Sequence, residues 1–196
     1  MDKIKRINAK DKIIAAAWQL FRQQGYDNTT INDIIKTSDT SRGAFYHHFR
    51  GKEDLMFRLA YFFDNDYVEW TKQLDNNLNS IEKLKIFDAF VLKNLEDSEY
   101  KSFLPQLYGM QVMTDGTRHI INPNRIYYRT VYELIKDGVE KGEISSPLTY
   151  SQLAESFIDL ERGLVYNWYL HSFSYSLLEK GTYLIGIYLD SLQPKK

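Results

Sequence analysis

The chain has 196 residues, 43% hydrophobic and 26% charged, with a formal net charge of −1, a globular balance long enough to bury a core unaided. It contains no cysteine, which excludes disulfides and thiolate metal sites and suits a reducing compartment. No apolar run approaches the roughly 20 residues of a membrane-spanning helix, and residues 1–20 lack the apolar stretch of a secretory signal, so a cytoplasmic protein without a membrane partner is expected.

Apolar residues recur at helical spacing nearly everywhere, and period-two alternation long enough for a sheet is absent. The expected fold class is all-α, with about nine helices over 9–24, 30–37, 41–48, 52–75, 80–96, 99–113, 123–141, 149–171 and 175–192. Ile13, Ile14, Ala17, Leu20 and Phe21 form the first stripe, ending at Gly25. Leu55, Leu59, Phe62, Phe63, Tyr67, Trp70 and Leu74 form one long stripe, read as a single helix joining head to body. Leu84, Phe87, Val91 and Leu95 make another, and Leu153, Phe157, Leu160, Leu164 and Trp168 a further one. Breaks fall at turn-forming residues: Gly25 to Asn28, Asp75 to Asn77, Thr114 to Gly116, Asn122-Pro123 and Gly142 through Pro147. Pro105 starts or kinks the helix over 99–113.

Charge is unevenly placed. Residues 1–56 hold ten Lys and Arg against seven Asp and Glu, a net of +3, and the remainder carries −4. A mildly basic head on an acidic body suits a nucleic-acid-reading module on a regulatory domain, although chance placement of a few charges gives the same skew.

The informative stretch runs from Thr29 to Leu55. Thr30 followed by Asp33 is a capping-box-like start, with Ile31, Ile34 and Ile35 supplying an apolar face. That helix is too short to persist alone in water. Ser38-Asp39-Thr40 breaks it, and Asp39 suits a left-handed turn because short polar side chains tolerate positive φ. A second short helix begins near Ser41, with Ala44, Phe45 and Phe49 inward. Two short helices across a tight turn, packed on a longer one, make a helix-turn-helix. Gly43 inside the second helix costs about 1 kcal/mol relative to alanine, which makes sense if a partner must come close. Thr40, Ser41, Arg42, Tyr46 and His47 lie on its outer side, all able to reach base edges or phosphates. Lys52 opens the next helix where the dipole disfavours a cation, a placement that suits a DNA phosphate as its partner. His47 and His48 are adjacent on a helix with no third ligand nearby, so no metal site is read there.

This segment resembles the DNA-binding head of the TetR/AcrR family of bacterial regulators. Thr29, Thr30, Ile34, Ser41, Gly43, Tyr46, Phe49, Lys52, Glu53 and Leu55 meet the family pattern, and Ala16 to Phe21 with Gly25-Tyr26 resembles its first helix and exit. The family's usual Ala-Gly-Val turn reads Ser38-Asp39-Thr40 here. The resemblance implies a helix-turn-helix DNA-binding domain over 1–52 and a ligand-binding and dimerisation domain over 53–196. It implies that residues 41–48 enter the major groove, with Arg42 reading bases and Tyr46, Lys52 and Thr30 gripping phosphates. Lys3, Lys5 and Arg6 would add a basic arm, and Thr29, Thr40, Ser41, Gly43 and His47 complete the expected DNA-binding set.

The same resemblance implies a homodimer on a palindromic double-stranded operator, with half-sites about 34–36 Å apart. Leu153, Ile158, Val165, Leu184, Ile187 and Tyr188 are the expected interface, the alternative being that these stripes fill the protomer's own core. It further implies a pocket for a small apolar or aromatic effector. Phe63, Tyr67, Trp70, Phe90, Phe103, Leu107, Met110, Tyr128, Phe157 and Glu161 are the candidates, plain core being the alternative for each. Asp159, Glu161 and Arg162 interrupt an apolar helix, and pairing within it is the favoured reading. A repressor released by its effector is expected; an activator, a corepressor-type member or a helical protein-interaction module are the alternatives. No cofactor is called for, and no phosphate loop, metal cluster or catalytic constellation points to an enzyme, His119 and His171 being read as surface or capping residues.

Overall fold

The computed structural model describes residues 8–195, so the basic arm of Lys3, Lys5 and Arg6 lies outside the described residues. The described residues form ten α-helices and three short 3-10 turns, with no strand among them. The chain divides into two compact units, Met1–Ala60 and Tyr61–Lys196, and the expected boundary at residue 52 falls inside the first.

In the first unit, α1 (Ala9–Gln24) is capped by Asn8, whose side chain accepts from the Asp11 N–H, and ends at Gly25 with φ of +83°. That left-handed conformation favours glycine. The second helix, α2 (Ile31–Ser38), starts at a full capping box between Thr30 and Asp33 and ends at Asp39, which adopts the left-handed conformation with φ of 50°. Ser41 caps α3 (Arg42–His48) by accepting from the Ala44 N–H at 3.0 Å. Both α2 and α3 pack on α1. Ile13, Phe21, Ile34, Phe45 and Phe49 fill this small core, where burial of each such side chain is worth about 1.5–3 kcal/mol.

The helix expected over 52–75 is not continuous. It runs as α4 (Lys52–Phe57), a 3-10 turn over Arg58–Tyr61, and α5 (Asp64–Lys72). Between the two helices Tyr61, Phe62 and Phe63 are weak helix formers, a deficit hidden by the regular apolar spacing, whereas Arg58, Leu59 and Ala60 favour helix and their propensity does not explain the 3-10 turn. Asp64 restarts the helix at its N-terminal turn, where an acid is favoured, and forms an ion pair with Arg125 at 2.9 Å.

The second unit adds α6 (Ser80–Asp97), α7 (Leu104–Met113), α8 (Ile126–Glu140), α9 (Tyr150–Leu170) and α10 (Leu177–Ser191), with 3-10 turns at Lys101–Phe103 and His119–Ile121. Pro105 sits in the first turn of α7 and starts it. Capping boxes at Asn79/Glu82 and Thr149/Gln152 open α6 and α9. Packing of α6 on α10 and of α8 on α9 organises the bundle, with α6 also against α8 and α5 against α8. Leu84, Phe87, Val131, Ile135, Phe157, Trp168 and Leu189 are buried at its centre. Gly181 lets α10 close on α6, since a Cβ there would run into Leu92. His171 caps the C-terminus of α9, and His119 Nδ1 lies 2.9 Å from the Tyr61 hydroxyl.

Candidate functional site

The outer side of α3 presents Arg42, Gly43, Tyr46 and His47 to solvent, while Phe45 and Phe49 hold its other side in the core. The Arg42 guanidinium lies 5.5 Å from the centre of the Tyr46 ring and donates to Asn32 Oδ1 at 3.4 Å. Asn32 is exposed on α2 and was not singled out from the sequence, where nothing distinguishes it from any polar surface residue. An added Cβ at Gly43 would meet nothing of this chain nearer than Ser41 Oγ at 3.8 Å. The protein's own packing therefore does not require a glycine there. His47 rests edge-on against His48 with ring centres 4.7 Å apart.

Several expected DNA contacts have partners inside the head. Thr29 is only 1% exposed and its hydroxyl donates to the Gly25 carbonyl at 2.7 Å. Its side chain is unavailable to a phosphate, which corrects the expectation. The Thr30 hydroxyl donates to Asp33 Oδ2 at 2.6 Å within the capping box, and Thr40 Oγ1 is 2.8 Å from Ser38 Oγ. Lys52 Nζ donates to the carbonyl oxygens of Tyr26 at 2.6 Å and Thr29 at 2.9 Å, and stands 4.1 Å from the centre of the Tyr26 ring. It ties the α1–α2 loop to α4, and that role alone accounts for a cation at the start of a helix. Burial, with Glu53 and Asp27 nearby, pushes the Tyr26 phenol well above its ordinary range.

In the second unit the aromatic candidates form a connected cluster. Tyr67 and Trp70 from α5 meet Phe87 and Phe90 from α6, with ring centres 4.7–6.2 Å apart. Tyr127 from α8 lies 6.1 Å from both Tyr67 and Phe87. Such pairs stabilise by about 0.5–1.5 kcal/mol beyond their burial. Phe63, Tyr67, Leu107 and Phe157 are buried, and Trp70, Phe90, Phe103, Met110 and Tyr128 are partly so. Asp159 pairs with Arg162 at 2.9 Å, the pairing favoured from sequence. Arg162 also donates to the Tyr128 hydroxyl. Glu161 instead turns inward. It is 4% exposed, faces the Tyr127 hydroxyl and the Asp88 carboxyl, and burial first, then Asp88, holds its carboxyl well above the usual range. Asp88, on α6 and 1% exposed, is pushed up to about 7 by burial. Asp88 was missed from the sequence, although an acid four residues after Leu84 and next to Phe87 falls on the apolar face of its helix.

Grooves open on this unit between its helices. One, of about 620 Å³, lies between α8 and α9 and takes in Tyr128, Tyr132, Arg162 and Ile158. Another, of about 510 Å³, lies between α6 and α10 and takes in Asp88, Ile86, Tyr183 and Ile187. Of the ten expected effector residues only Tyr128 lines either groove.

The expected interface residues separate into two sets. Leu153, Ile158 and Val165 are at most 4% exposed and fill the protomer's own core, which corrects that part of the expectation. Leu184 and Ile187 are exposed, and with Leu160, Tyr166, Leu170 and Tyr183 they leave an apolar face on α9 and α10. The Tyr188 hydroxyl lies 2.7 Å from Ser156 Oγ.

A capped pair of short helices on a longer one, with exposed donors on the second, is the build of a helix-turn-helix regulator. Residues 13–59 match the family model described as bacterial regulatory proteins, tetR family. Over 139 residues the chain is 28% identical to the HTH-type transcriptional regulator QacR of Staphylococcus aureus, a match covering 70% of this chain and 74% of that one. The fatty acid degradation regulator FadR of Bacillus halodurans superposes with a TM-score of 0.70 at 23% identity, covering 100% of both chains. FadR of Thermus thermophilus, described as a transcriptional repressor in complex with lauroyl-CoA, gives a TM-score of 0.70 at 19% identity, covering 96% of this chain and 97% of its own. Residues 13–59 therefore match the DNA-binding segment of the tetR family, and over most of its length the chain is similar to HTH-type transcriptional regulators. Among the described residues no helix is long and apolar enough to cross a membrane.

Proposed function

We propose that the protein is a repressor that occupies a palindromic operator as a homodimer and leaves it when a small molecule binds in the second unit. The observation that carries this reading is the solvent-facing row of Arg42, Gly43, Tyr46 and His47 on α3, with Phe45 and Phe49 fixing the helix from behind. Arg42 is the base reader, since its guanidinium can grip guanine at two points for roughly 1–3 kcal/mol of discrimination. Tyr46 and His47 contact the backbone beside it, and Ser41 and Thr40 bring main-chain and hydroxyl groups to the same side. Lys5 and Arg6 extend the contact into the adjacent groove.

The apolar face of Leu160, Leu170, Leu184 and Ile187 on α9 and α10 supports the twofold assembly, because monomeric proteins rarely leave such a surface to water. Functionally, the head is the DNA-binding domain and the remainder the effector and dimerisation domain. Release is a population shift: the effector binds one arrangement of the dimer better, and that arrangement does not fit the operator.

The test is the salt dependence of DNA affinity. Each phosphate neutralised contributes about −0.9 to the slope of log affinity against log salt. A steep slope for the wild type, and weak binding by the Arg42→Ala/Tyr46→Ala variant at every salt, supports the reading. A flat slope rejects it.

A further inference from the structure

The guanidinium on the outer side of α3 is held from two directions, and one of its holders belongs to a different helix. Arg42 Nη1 donates to Asn32 Oδ1 at 3.4 Å across ten positions of sequence. The same guanidinium lies 5.5 Å from the centre of the Tyr46 ring. Asn32 is the second residue of α2, whose start is fixed by the Thr30/Asp33 capping box. On the other side, Ser41 caps α3 and Phe45 anchors it in the core. The two helices also pack on each other. Caps and core therefore set where both ends of the contact stand. Asn32 and Arg42 are themselves exposed, so their contact contributes little to the fold. Its consequence is where it puts the guanidinium.

The chemistry of the holder is suited to that task. Among the described residues no acid forms an ion pair with Arg42. A carboxylate would grip the side chain more firmly but would cancel the charge that draws it to DNA. The neutral amide oxygen takes one N–H and leaves the charge and the other guanidinium donors for a partner. An arginine that grips guanine at two points gives up side-chain freedom, and one already held gives up less. Asparagine reads adenine with its oxygen and its nitrogen together. With its oxygen committed to Arg42, Asn32 lacks half of that pair and is unsuited to reading a base itself.

We propose that Asn32 is a specificity-determining positioning residue: from α2 it holds the Arg42 guanidinium beside the Tyr46 ring in the orientation that reads guanine. This inference rests on the reading of α3 as the reader of DNA, and it specifies what aims its arginine.

Selection from a random-sequence duplex DNA library, with the enriched pools sequenced, tests this on the full chain and its Asn32→Ala, Arg42→Ala and doubly substituted variants. Arg42→Ala is expected to lose a guanine preference at one position of each half-site. Asn32→Ala is expected to weaken the preference at that same position and leave the others as in the wild type. On the wild type's most enriched duplex, Asn32→Ala should lower affinity roughly three- to tenfold, the effect of one hydrogen bond. Where Arg42 is already alanine, the same substitution should cost less than about twofold, and affinity for an unenriched duplex should not change. A palindrome whose guanine survives Asn32→Ala overturns the proposal and leaves the regulator reading standing. Loss at a different position, or an equal loss with and without Arg42, overturns it because Asn32 would then touch DNA directly. An equal loss on both duplexes overturns it as general damage to the head. If the wild type enriches no sequence, the regulator reading fails and this inference with it.

Discussion

Lys52 Nζ stands 2.6 Å from the Tyr26 carbonyl oxygen and 4.1 Å from the centre of the same residue's ring, bridging 26 positions of sequence inside the head. Two carbonyls and a ring face hold one ammonium, so the contact fixes where the α1–α2 loop meets α4. Lys52→Met is expected to destabilise the head by about 1–2 kcal/mol, a hydrogen bond to a charged group discounted for partial exposure. A shift of the urea midpoint checks this. An unchanged midpoint together with weakened DNA binding would return Lys52 to a phosphate-gripping role.

Gly43→Ala is expected to act in opposite directions on the two properties of the head. Gly43 is the second residue of α3, so alanine gains only part of the roughly 1 kcal/mol it has over glycine in a helix interior, and nothing in this chain obstructs its Cβ. If the DNA backbone or a base edge must come close, the same methyl lowers operator affinity. Denaturant melts and DNA titrations of one preparation read both signs. Greater stability without loss of affinity would show that no close approach occurs at Gly43.

Asp88 makes stability depend on pH. Burial pushes its carboxyl up to about 7 in the folded protein, beside Glu161, against about 3.9 for an unfolded aspartate. Between those values the unfolded chain releases a proton that the folded chain keeps. Stability is therefore fully present below about pH 4, falls as pH rises towards 7, and levels off above. Asp88→Asn keeps a neutral group in place and is expected to match the wild type near pH 4. At about pH 8 it should exceed the wild type by roughly 2–4 kcal/mol, at about 1.4 kcal/mol for each pKa unit. Urea unfolding at both pH values decides it.

The outward face of α9 and α10 sets the assembly. Leu170 is 66% and Ile187 54% exposed, so the Leu170→Glu/Ile187→Glu variant should cost the protomer no more than about 0.5 kcal/mol, as exposed substitutions do. Sedimentation equilibrium is expected to show dimers for the wild type and monomers for the variant. Dimers in both would move the interface elsewhere.

The head was largely legible in the sequence because its signals are local. The limits of α1, the Thr30/Asp33 box and the left-handed Asp39 each follow from residues within four positions of one another. Long-range roles were not legible. Nothing in the sequence ties Lys52 to Tyr26, and Thr29 reads as a free hydroxyl until the Gly25 carbonyl takes it. The break after Phe57 was obscured because the apolar spacing continues through it and Arg58, Leu59 and Ala60 themselves favour helix. On α9 the apolar residues belong to two faces. Leu153 and Val165 turn into the bundle and Leu160 and Leu170 away from it, a division that depends on which neighbours pack on the helix. Glu161 was visible as an acid in an apolar helix; its partner Asp88 was hidden one residue from Phe87 on a helix whose inner face looked complete.

The most direct measurement is recovery of sheared genomic DNA by the purified protein, sequenced beside an identical experiment with the Arg42→Ala/Tyr46→Ala variant. A palindromic site whose half-sites are about one helical turn apart, recovered by the wild type and lost by the variant, is the predicted result. Enrichment no greater than the variant's, from protein refolded free of any carried ligand, would contradict the assignment of α3 as the reader of DNA.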